Sequence, residues 1–90
     1  MPYIELSNRD GFSAALSHVD RAVSAGCTPG DLNYIFTKIA LSYLKARGLR
    51  YTMLNDVLGA LEGAKLELYR RVVVPYEEGK LEENGDVYPR

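Results

Sequence analysis

Tryptophan is absent, and cysteine and histidine occur once each. No apolar run is long enough to span a bilayer. Each absence removes a class of function. A lone Cys27 permits no intramolecular disulfide, and nothing points to an oxidising compartment. One cysteine and one histidine cannot build a structural zinc site, so no metal is expected. A Ser-His-Asp arrangement would depend on His18 alone, on the flank of an amphipathic helix, and a nucleophilic Cys27 would need the same base. No phosphate-binding glycine loop occurs, and no cofactor is expected. The adjacent carboxylates Glu77/Glu78 and Glu82/Glu83 lie in a charged terminal stretch and read as solvated surface. A net charge of -1 lacks the basic excess of a general nucleic-acid binder, yet leaves room for one small anion held by a few cations. The opening Met1-Pro2-Tyr3-Ile4-Glu5-Leu6 has no basic segment before a long apolar one, so the expected location is the cytoplasm.

What is present suits one small helical domain over 1–90. Seven tyrosines against two phenylalanines favour half-buried edges and interfaces. The densest stretch runs from Thr52 to Tyr76. Leu54, Val57, Leu58, Leu61, Leu68 and Val72 recur at three- and four-residue steps and share one helix face. The spacing predicts a helix over about 53–78, capped by Thr52 and kinked or stopped at Pro75. Lys65 falls inside the stripe, where an ammonium needs a partner such as Glu62 or a route to water. Gly59 and Gly63, four apart on another side, weaken a helix unless a second backbone comes close, either within the fold or from another subunit. Arg70 and Arg71 suit the negative end of the helix dipole, and Arg71 has Glu67 one turn back.

Ser7 should cap a first helix over about 8–25, whose narrow stripe is Phe12, Leu16, Val19 and Val23, with Gly26 as its stop. Thr28-Pro29-Gly30-Asp31 carries a cap, a proline at the first helical position and a capping-box acid, opening a second helix over about 29–47. That helix is apolar on two sides. Leu32, Ile35, Phe36, Ile39, Ala40 and Tyr43 make one face. Tyr34, Leu41 and Leu44 make another, which is best shared with a second subunit. Asn84-Gly85 is a strong type I′ signal and predicts a C-terminal hairpin over about 81–88. Tyr3 to Leu6 reads as a short extended segment. No internal repeat or low-complexity tract occurs. The expected fold is therefore mainly α: three antiparallel helices with a short N-terminal extended segment and a C-terminal β-hairpin.

Lys65, Tyr69, Arg70, Arg71 and Tyr76 form the candidate ligand-binding set, since guanidinium groups grip phosphate and tyrosines stack on bases. Tyr34, Leu41, Leu44, Gly59 and Gly63 form the candidate subunit interface. Several stretches carry a resemblance: Met1-Pro2-Tyr3-Ile4, Leu32-Asn33-Tyr34, Asn55 to Glu62, Lys65, Glu67, Tyr69-Arg70-Arg71-Val72, Pro75-Tyr76-Glu77 and Glu83 to Tyr88. In these the chain resembles a small family of unknown function associated with bacteriophages and bacteria. The likeness covers nearly the whole chain. It implies an accessory protein of a viral or mobile-element setting, and assigns no catalytic or binding residue. By analogy with small helical phage proteins, the expected role is that of a non-catalytic homo-oligomeric binder of a host protein or of a small anionic ligand such as a nucleotide signal. The alternatives are a structural interaction module without a ligand and a small hydrolase.

Overall fold

The structure, a computed structural model, describes residues 4–89. Three helices carry the chain, and no strand occurs among the described residues. The chain divides between Leu49 and Arg50 into two compact units.

The first unit holds α1 and α2. Helix α1 opens as an α-helix over Leu6–Arg9, tightens to a 3₁₀ turn over Asp10–Phe12 and resumes as α over Ser13–Ser24. Glu5, not Ser7, takes the N-cap position, and no side chain caps the helix. Ser7 lies inside the first turn. Arg9 anchors the entry by donating from Nε to the Ile4 carbonyl at 3.1 Å. The tight turn is centred on Gly11. Gly26, at φ +108°, stops α1 in a conformation that side chains rarely adopt. The expected extended segment reduces to Ile4 and Glu5, because Leu6 is already helical; Tyr3 lies outside the described residues.

Helix α2, Pro29–Arg47, begins as the sequence requires. The Asp31 amide donates to the Thr28 hydroxyl at 3.1 Å, and the Thr28 amide donates back to the Asp31 carboxylate at 3.0 Å. Two otherwise orphaned amides are thereby satisfied. Gly48, at φ +96°, ends the helix and donates to the Leu44 carbonyl at 2.7 Å. Arg47 lies over the Tyr43 ring at 5.3 Å and covers part of it.

The second unit is built on one long helix, α3. It runs as α over Tyr51–Leu68, passes through a π turn over Tyr69–Val73 and continues as α over Val74–Asn84. Arg50 precedes it as N-cap without a side-chain bond, so Thr52 is a helical residue rather than the cap. Pro75 neither stops the helix nor ends it one turn later. A proline cannot donate an amide, and its ring crowds the carbonyl four residues back. The π turn absorbs that defect just upstream, with the Val74 amide reaching back five residues to the Tyr69 carbonyl.

The expected hairpin over 81–88 is overturned. Lys80, Leu81, Glu82 and Glu83 continue α3, and only Gly85 adopts positive φ, at +83°. A type I′ turn needs positive φ at both central residues, and Asn84 is helical. Extending a helix already nucleated adds one hydrogen bond per residue, whereas a short isolated hairpin must begin anew. Lys80 also pairs with Glu83 at 3.3 Å along the helix. Gly85 is then a helix stop, donating to the Leu81 carbonyl at 2.8 Å. Beyond it, the Tyr88 amide bonds the Asp86 carboxylate at 2.9 Å in a local turn.

No described residue is fully buried. The apolar side chains of α1, α2 and α3 are exposed or half-buried throughout. Within its own unit, α3 has no second helix against which to pack.

Candidate functional site

The apolar stripe of α3 is the most extensive candidate surface. Leu54, Leu58, Leu61, Leu68 and Val72 are all exposed, with Leu58 at 64%. Lys65 sits among them, as the spacing requires, and its ammonium bonds the Glu62 carboxylate at 2.9 Å. The ion pair is open to water, so it contributes little to stability. Its effect is to hold the cation along the stripe with a carboxylate beside it.

The other acidic partner differs from the expectation. Glu67 pairs with Arg70 at 2.6 Å rather than with Arg71. Both i,i+3 and i,i+4 neighbours lie on one side of a helix, but the π turn begins at Tyr69 and shifts the later position. Glu67 is only 17% exposed, so this is the better shielded of the ion pairs on α3. Arg71 makes no hydrogen bond or ion pair among the described residues.

The five proposed ligand-binding residues lie on one helix but not on one side of it. Successive helical residues are about 100° apart, so Tyr69, Arg70 and Arg71 fan around the axis. Lys65 is engaged by Glu62 and Arg70 by Glu67. Tyr76 lies beyond the π turn, and the Lys80 ammonium sits 5.6 Å from its ring. An inserted residue rotates everything downstream by about one position, which carries Tyr76 round toward the Leu68 face. The sequence pointed to the cations and the rings; it held no sign of the Lys80–Tyr76 contact, which depends on the helix continuing past Gly79.

Of the interface candidates, Tyr34 and Leu41 are exposed and Leu44 is half-buried, all along one side of α2. Gly59 is exposed, and a Cβ there would meet nothing within 4 Å among the described residues. Gly63 is half-buried.

Elsewhere the chemistry is sparse. Arg21 lies 3.2 Å from Nδ1 of His18, on the same helix. The half-buried Cys27 points its thiol at the Thr28 carbonyl, 3.7 Å away. Among the described residues, no group of three or more histidine, cysteine or acidic side chains could hold a metal ion. No helix there is long and apolar enough to cross a membrane.

The chain belongs to the family described as a domain of unknown function, DUF6899, which matches residues 1–87. The match covers nearly all of the chain and carries no activity with it. No curated protein and no solved structure matches the chain.

Proposed function

We propose that this member of the family acts without catalysis, as a homo-oligomer that grips a second molecule in a phage or mobile-element setting. The observation that carries the reading is the bare apolar stripe of α3. A helix that is the only one in its unit exposes four leucines and a valine along one side. Burying an exposed leucine contributes about 1.5–3 kcal/mol, so such a stripe favours association over solvation. The gripped molecule is a host protein or a small anionic ligand such as a nucleotide. Arg71 is uncommitted and Tyr69 exposed, which suits phosphate binding and stacking. Cations that fan around one helix can converge only with groups supplied by another, so such a ligand site needs the assembly.

A second reading, a structural module without a ligand, draws support from Lys65 and Arg70 being already paired. Native mass spectrometry of protein purified gently from host lysate separates the two. An oligomer carrying a small additional mass supports the ligand binder. An oligomer without one supports the structural module. A monomer at every concentration overturns both.

A further inference from the structure

The exposed face of α3 has a feature that selects both its occupant and the direction in which that occupant lies. Leu54, Leu58, Leu61, Lys65 and Leu68 follow one another at alternating steps of four and three, up to the π turn that begins at Tyr69. This is the seam spacing of a two-helix coiled coil. All but one of the seam positions are apolar, and the exception is a cation at the middle. A single lysine on a seam specifies alignment at a cost in stability. We infer that a second copy of this chain covers the face with its α3 antiparallel, so that Lys65 and Glu62 of the two copies form a neutral quartet about a two-fold axis. The inference rests on the self-assembly proposed above and adds its face and orientation.

Charge decides between the two orientations. In a parallel, in-register pair, Lys65 lies against Lys65 of the second copy, and Glu62 flanks Val57. Each ammonium then keeps only its own Glu62, gains none from the second copy, and faces a like charge across the seam. In the antiparallel pair, Leu58 faces Leu68 and Leu61 faces Lys65, while Leu54 falls opposite the π turn. Each ammonium then lies beside the Glu62 of the second copy while keeping its own Glu62, now 2.9 Å away. Four charges of alternating sign meet where the axis crosses. The regular seam from Leu54 to Leu68 is about 21 Å long, roughly two heptads where a coiled coil usually needs three or four, so the association should be weak.

Disulfide trapping in a Cys27→Ser background tests the orientation. Ala64 lies beside the proposed axis, next to Ala64 of the second copy; in a parallel pair these residues lie on opposite flanks. Leu54 meets Leu54 only in the parallel pair and is about 27 Å from it in the antiparallel one. Ala64→Cys should therefore oxidise to a covalent dimer and Leu54→Cys should not, because a disulfide needs its Cα atoms within about 7 Å. The opposite pattern overturns the antiparallel assignment. A dimer that neither cysteine traps overturns the use of this face while leaving self-assembly intact. A wild type that sediments as a monomer at about 500 μM removes self-assembly as well. Charge reversal supplies an independent arm. Lys65→Glu should weaken the dimer at least tenfold, and adding Glu62→Lys should restore it. A Lys65→Glu variant that dimerises like wild type overturns the quartet.

Discussion

Replacing Leu58 with Gln isolates the effect of the α3 stripe from that of helix propensity. Glutamine forms helices about as well as leucine, so the helix itself should persist. Full burial of a leucine side chain contributes about 1.5–3 kcal/mol. With 64% of Leu58 open, a covering chain has about 1–2 kcal/mol to recover at that residue. A symmetric dimer contains two copies of the position, so the loss should reach roughly 2–4 kcal/mol per dimer, or about 30- to 700-fold in Kd. Leu66→Gln is the matched control. Leu66 is 58% exposed, yet it lies well round the helix from the stripe, so its substitution should shift Kd less than about threefold. Sedimentation velocity from about 1 to 500 μM reads both constants, and circular dichroism verifies helicity. Equal losses for the two variants, or no loss for Leu58→Gln, would refute the argument that the stripe is the contact face.

Two further substitutions test the local structure. Thr28→Ala removes the reciprocal cap at the start of α2 and should cost about 1 kcal/mol, seen as a lower midpoint in thermal unfolding; an unchanged midpoint would show that the cap is not holding the helix end. Gly79→Ala should stabilise by about 0.4–1 kcal/mol, because Gly79 is helical and an added Cβ would meet nothing within 4 Å. A drop in the midpoint instead would show that Gly79 does not sit inside the helix.

Much of the helical layout was legible in the residues. Thr28, Pro29 and Asp31 specify the start of α2 by local chemistry alone, and Gly26 and Gly48 mark stops where only positive φ lets the chain turn away. The Lys65–Glu62 pair followed from spacing. The signals that misled were local ones that compete. Ser7 and Thr52 are good caps by type, yet in both cases the helix begins upstream of them. Asn84-Gly85 suits a hairpin and suits a helix stop equally, and the outcome depends on whether α3 is still running when it arrives. For the candidate ligand set, residue type was informative and residue number was not, since neighbours in sequence point to different sides of a helix.

By itself the sequence determined three amphipathic helices and their approximate spans. Those properties depend on neighbours three and four apart, which any reader of the chain can count. Only the tertiary structure decided that α3 passes Pro75 through a π turn and reaches Asn84, and that no described side chain is buried. The physical reason is that a proline defect can be met by stopping, kinking or inserting a residue, and burial depends on what lies opposite a face. Neither is encoded in the spacing of the face itself.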